Sequence, residues 1–110
     1  MVQQLPPQVL ALIAERFRVL AEPARLRILN TLMVRERTVT ELVEVTELNQ
    51  ANVSKHLSML RAAGFVSRRK EGLFAYYSIA DHTVAELCEI MCGRLELQLE
   101  QQAAVLDSRL

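Results

Sequence analysis

Two short amphipathic segments joined by a two-residue link, Leu48-Asn49, constrain this chain more than any other feature of its sequence. The first of the two carries Leu42, Val43 and Val45 and is expected to run to about Glu47, with Thr40 read as its N-cap and Glu41 in its first turn. The second is expected from Gln50 to Ala63, with Val53, Leu57 and Leu60 on one face and Gly64 as the stop. Phe65–Lys70 and Leu73–Ile79 then read as the arms of a β-hairpin around Gly72. Two helices at this spacing, the second followed directly by a hairpin, have the arithmetic of a helix-turn-helix with a wing.

The rest of the chain extends this unit with helices. Val9, Leu10, Ile13, Phe17 and Leu20 mark a first helix from Pro7. Leu26, Ile28, Leu29, Leu32 and Met33 mark a second from Pro23, closed by Arg35-Glu36-Arg37. Thr38-Val39-Thr40 is β-branched and reads as a short strand or extended link. Asp81 caps a last helix, about residues 82–106, with the stripe Val84, Cys88, Met91, Leu95, Leu99, Ala103 and Leu106. The expected fold is mainly α with a small hairpin, ordered ααααββα. It forms a single domain over residues 1–110, with the helix-turn-helix at about 40–63 and the wing at about 65–79.

Composition narrows the function. The chain has 110 residues, 51% hydrophobic and 24% charged, an ordered composition too short for a two-lobed enzyme. No nucleophile–base pair, glycine-rich phosphate loop or zinc-hydrolase motif occurs, so an enzyme is not expected. No apolar run approaches membrane-spanning length and no secretory signature is present, which points to the cytosol. The net charge of zero hides a segregation: residues 49–70 hold Lys55, Arg61, Arg68, Arg69 and Lys70 and no acid, while residues 71–110 are acidic. An acid-free basic block is the footprint of a phosphate-binding surface.

The second helix of the pair has the division of labour that reading DNA requires. With Val53, Leu57 and Leu60 facing inward, Gln50, Ala51, Ser54, Lys55, Ser58 and Arg61 face outward, and Asn52 and His56 lie near the boundary. Gln and Asn read adenine edges, Ser and His donate to bases or phosphates, and Lys and Arg neutralise phosphate. Thr40 joins this set from the preceding helix, and Arg68, Arg69 and Lys70 from the wing. A module used only for protein–protein contact would show an acidic or apolar face here. The terminal helices carry apolar stripes that a chain of this size cannot bury alone: Val9, Leu10, Ile13 and Phe17 on one, Val84, Leu87, Cys88, Met91, Leu95 and Leu99 on the other. Pairing two copies covers both and sets the two reading helices about 34 Å apart, one turn of DNA.

Three segments in order carry a family resemblance. Leu20-Ala21-Glu22-Pro23-Ala24-Arg25-Leu26-Arg27-Ile28-Leu29 resembles the start of the second helix of ArsR/SmtB-family winged-helix repressors. Val53 to Val66, reading VSKHLSMLRAAGFV, resembles their recognition helix and wing entry, and Tyr76-Tyr77-Ser78-Ile79-Ala80-Asp81 their wing exit. The resemblance spans about residues 15–82. It implies a homodimeric repressor on an imperfect inverted-repeat operator, released by an effector that is often a soft metal or metalloid. The family's effector sites do not transfer. Val43 and Val45 stand where its third-helix Cys-x-Cys box would be. Arg94 and Leu97 fall where the later ligands of a last-helix zinc site would follow Asp81 and His82. Asn30 replaces the second-helix cysteine of persulfide sensors. Cys88 and Cys92 remain, one turn apart on the last helix. As thiols they are ligands for a thiophilic metal or metalloid ion, redox groups, or small apolar packing residues.

Overall fold

The computed structural model describes residues 4–109. Its elements are α1 (Pro7–Leu20), α2 (Pro23–Leu32), β1 (Arg37–Thr38), α3 (Val39–Thr46), α4 (Gln50–Ala62), β2 (Val66–Glu71), β3 (Phe74–Ile79) and α5 (His82–Arg109). The helix order and the hairpin agree with the expectation. Of the segment read as a short strand or extended link, only Thr38 is strand: β1 is Arg37–Thr38, and Val39 and Thr40 open α3. Arg37 pairs with Tyr77 and Thr38 with Tyr76, which gives the antiparallel order β1-β3-β2. A two-residue strand has no period to read, and its partner lies far along the chain.

Thr38, not Thr40, is the N-cap of α3. Thr38 Oγ1 accepts from the Glu41 backbone N–H (3.2 Å), and Glu41 Oε1 accepts from the Thr38 N–H (3.1 Å). This is a complete capping box, which places Thr40 inside the first turn, exposed. Glu47, in the left-handed region at φ 61°, closes α3, and the Asn49 side chain then caps α4 by accepting from the Asn52 N–H (2.8 Å). The turn between the two helices is therefore fixed by local chemistry at both ends. Gly64, at φ 83°, ends α4. The Gly64 N–H donates to Arg61 O and the Phe65 N–H to Leu60 O, the paired bonds of a Schellman ending. This reversal sends the chain straight into β2. Gly72, at φ 61°, occupies the first of the two loop positions between β2 and β3, where a tight hairpin needs positive φ.

The core lies between α2, α3, α4 and the sheet. Ile28, Leu29, Leu42, Val53, Leu57 and Leu60 are almost wholly buried, and Phe65, Val66, Val19 and Leu32 join them. Two expected placements change. Leu26 is 40% exposed, because α2 has a second apolar face on which Leu26, Asn30 and Met33 look toward α5. Val84, assigned to the dimer stripe, is 1% exposed and belongs to the protomer's own core, as the first turn of α5 rests on Phe65 and the α1–α2 corner. Beyond that turn α5 carries no buried residue among those described.

Candidate nucleic-acid interface

Helix α4 presents two unlike faces. Val53, Leu57 and Leu60 anchor it in the core, while Gln50, Ala51, Asn52, Ser54, Lys55, Ser58 and Arg61 are exposed. No acidic side chain shares this face. Among the described residues, Lys55 and Arg61 have no carboxylate within salt-bridge distance. Anchoring on a 53/57/60 spacing therefore turns a polar and basic strip outward as one unit.

The wing splits its three cations between two faces. Arg68 and Lys70 alternate with Arg69 along β2. Arg68 shares a shallow cleft of about 420 Å³ with Ser58 and Arg61 of α4, so helix and wing meet there in one basic rim. Arg69 points the other way. It pairs with Glu36 (2.8 Å) and with Glu71, and lies 4.9 Å from the centre of the Tyr76 ring. The expectation that all three wing cations act alike does not follow from this arrangement. Arg68 and Lys70 are unpaired among the described residues, whereas Arg69 is already neutralised.

His56 is half-buried, with its Nδ1 3.3 Å from Nη1 of Arg25 on α2. Burial, then the Arg25 charge, pushes the His56 pKa below its ordinary value. The charge pattern of the sequence does not set Arg25 apart from its neighbour Arg27. The signal of Arg25 is its place three and four positions before Ile28 and Leu29, on the buried stripe of α2.

The terminal helices form a second surface. Leu10, Phe17, Met91, Leu95 and Leu99 are each more than half exposed, Val9 and Leu87 are exposed, and Ile13 is half-buried. Between α1, α2 and α5 lies an apolar groove of about 580 Å³, with Cys88, Met91 and Cys92 on one wall and Asn30 and Met33 on another. Cys88 is half-buried, and burial pushes its thiol up. Cys92 is exposed, its Sγ 3.6 Å from Glu96 Oε1, and the Glu96 charge pushes its thiol up as well. Both effects favour the protonated, less nucleophilic form. Asp81 has a structural task. It accepts from the Thr83 N–H and Oγ1 at the start of α5 and from Arg16 of α1 (3.0 Å). Val43 and Val45 occupy the third helix as expected, and no group of three or more His, Cys, Asp or Glu gathers among the described residues.

A helix-turn-helix whose second helix turns a basic, acid-free face outward beside a two-stranded wing defines a winged-helix DNA-binding transcription regulator. The family model described as bacterial regulatory protein, arsR family, matches residues 22–68. The HTH-type transcriptional regulator Rv0081 of Mycobacterium tuberculosis is 42% identical over 95 residues, covering 86% of this chain and 83% of that protein. Its crystal structure superposes with a TM-score of 0.81 at 39% identity, over 90% of this chain and 99% of the other. The homodimeric winged helix-turn-helix DNA-binding domain Mb0332 of Mycobacterium bovis, solved in solution, matches at TM-score 0.78 and 32% identity, over 92% and 95% of the two chains. A probable mercury resistance operon repressor of Streptomyces lividans is 45% identical over 74 residues, 67% of this chain and 59% of its own length. The chain belongs to the ArsR family, whose members are transcription regulators and not enzymes. Among the described residues no helix is long and apolar enough to cross a membrane.

Proposed function

We propose that this chain is a cytoplasmic repressor that binds an inverted-repeat operator as a homodimer, one winged-helix domain per protomer. The observation that carries the reading is the exposed strip of α4 with the unpaired Arg68 and Lys70 beside it. Gln50, Asn52 and Ser54 read base edges, Thr40, Lys55, Ser58 and Arg61 hold phosphates around them, and Arg68 and Lys70 extend the grip along the flanking backbone. Arg69 serves the wing's shape first and phosphate second. The exposed stripes of α1 and α5 support pairing of two copies, with Leu10, Phe17, Met91, Leu95 and Leu99 in the seam, and the homodimeric Mb0332 domain supports the same arrangement.

The effector acts at the seam. Cys88 and Cys92 share a face of α5 beside the apolar groove, so a thiophilic ion or an oxidant that engages them changes the packing of α5 and with it the separation of the two reading helices. The name of the Streptomyces relative supports a soft-ion signal. The test is a duplex-binding titration with a sequence selected by the protein from a random library. It is run with and without Hg(II), Cd(II), As(III) or peroxide, on wild type and on the Cys88→Ser/Cys92→Ser double variant. Binding that weakens with salt, and that an added ion or oxidant releases only in wild type, is expected. No salt-dependent binding means an interaction module instead. An unchanged release in the double variant means the cysteines only pack.

A further inference from the structure

Among the described residues, Arg25 is the only buried side chain with a formal charge, at 8% exposure. It lies on the α2 stripe that enters the core, and none of its neighbours is a carboxylate within salt-bridge distance. A buried cation without a counter-ion is costly, and its hydrogen bonds say what holds it there. Nε donates to the carbonyl of Val19 near the end of α1 (2.5 Å). Nη1 reaches His56 Nδ1 at 3.3 Å and Met59 Sδ at 3.4 Å, both on α4. One planar fork thus joins the α1–α2 corner to α4.

The chemistry of the contact fixes the imidazole. A guanidinium has donors only, so His56 Nδ1 has to accept, and the ring proton sits on Nε2. Protonation would turn an N–H against the guanidinium. Glu22 at the start of α2 favours the charged ring, while Arg25 and Lys55 oppose it. Burial is the largest influence, and with Arg25 it pushes the His56 pKa below its ordinary value. Val53, Leu57 and Leu60 hold α4 by apolar contacts, which resist separation but set rotation only by shape. The Arg25 fork adds direction to that seat.

We propose that Arg25 is a positioning residue for DNA reading: it clamps α4 to the α1–α2 corner and holds His56 as the neutral Nε2–H tautomer, so that the helix carries one defined ring donor. This rests on α4 being the DNA-reading segment.

The experiment uses the whole chain. Nitrogen-15 spectra of the histidine rings, recorded without DNA from about pH 5.5 to 8, give the tautomer and the titration midpoint of His56. Affinities are measured on the selected duplex and on a random one. The neutral Nε2–H form is expected in wild type. Arg25→Met should raise the midpoint and weaken the selected duplex roughly tenfold, the random duplex less, with the salt slope unchanged. Arg25→Lys should not restore affinity, because an ammonium lacks the fixed fork. An Nδ1–H tautomer in wild type overturns the proposal. So does a folded Arg25→Met with an unmoved midpoint and an unchanged selected-to-random ratio. If Arg25→Met does not fold, His56→Gln and His56→Leu decide. Gln keeps an acceptor for Arg25 and a donor beyond it, so it should bind the selected duplex several-fold more tightly than Leu, and equal affinities contradict the clamp. Wild type that binds neither duplex overturns the DNA reading itself, and the tautomer, read without DNA, distinguishes that failure from failure of the clamp.

Discussion

The segment from α2 through β3 and the two terminal helices treat their apolar side chains in opposite ways. In the first, Ile28, Leu29, Leu42, Val53, Leu57 and Leu60 meet one another and leave almost no surface to water. In the second, Leu10, Phe17, Met91, Leu95 and Leu99 are more than half exposed. Charge divides along the same line, with the acid-free basic block in α4 and the wing and most of the acids after Gly72 on α5. The contrast teaches that one region is finished by its own chain, while the other leaves apolar side chains that the proposed pairing of two copies would cover. The finished region can present a rigid reading surface. In the proposed dimer the unfinished one would set how far apart two such surfaces stand, which is what an effector would have to change.

The largest effect that sharpens this contrast is in the core. Leu57→Ala should cost about 2–5 kcal/mol of unfolding free energy, measured by urea denaturation, and the loss should not depend on protein concentration. Leu95→Ala should show a smaller loss that grows with concentration, as linkage to a dimer requires. Equal, concentration-independent losses would break the comparison. Next, Leu95→Glu should weaken self-association by about a hundredfold or more in sedimentation equilibrium, while the far-ultraviolet circular dichroism keeps its helical signal.

Smaller effects separate the residues of the wing and the caps. Arg68→Ala and Lys70→Ala should each lower the slope of log affinity against log salt by about one unit on any duplex, while Arg69→Ala should lower it less. Equal slopes for all three would mean that the Glu36 and Glu71 pairs open at no cost. Thr38→Ala removes one half of the capping box and should cost about 1 kcal/mol in thermal unfolding. The smallest effect is on acid stability. Hydrogen bonds from Thr83 to Asp81, and from the Thr38 N–H and Arg35 to Glu41, hold both carboxyls below their ordinary range. A depressed folded-state pKa contributes stability that is present above the unfolded value and lost as pH falls through the folded one. Asp81→Asn should therefore lower stability modestly at neutral pH and converge with wild type at low pH, which flattens the acid limb of the stability profile measured by urea denaturation.

Much of the fold is legible in the residues because its signals are local. Pro7 and Pro23 open helices, Gly64 and Gly72 stand where positive φ is needed, and the spacing of Val53, Leu57 and Leu60 orients α4. What the residues conceal depends on contacts between distant segments. The β1 pairing is set by β3, some forty residues later in the chain. Thr38 and Thr40 are equally good caps in isolation, and the reach of Glu41 to Thr38 decides between them. Val84 fits the dimer stripe by spacing alone, and only the approach of Phe65 and the α1–α2 corner makes it core. In the candidate interface, the exposed strip of α4 follows from periodicity. The unlike fates of Arg68 and Arg69 follow from strand alternation and from Glu36, which is distant in sequence, and the partner of His56 lies thirty-one positions away.

The most direct measurement is the stoichiometry of the DNA complex, read by sedimentation velocity on the selected duplex with wild type and Leu95→Glu in parallel. The account predicts two wild-type chains per inverted repeat with no intermediate of one. It predicts that Leu95→Glu, still folded, binds the same duplex far more weakly and one chain at a time. Wild type bound as a single chain, or a monomeric Leu95→Glu with wild-type affinity, would contradict it.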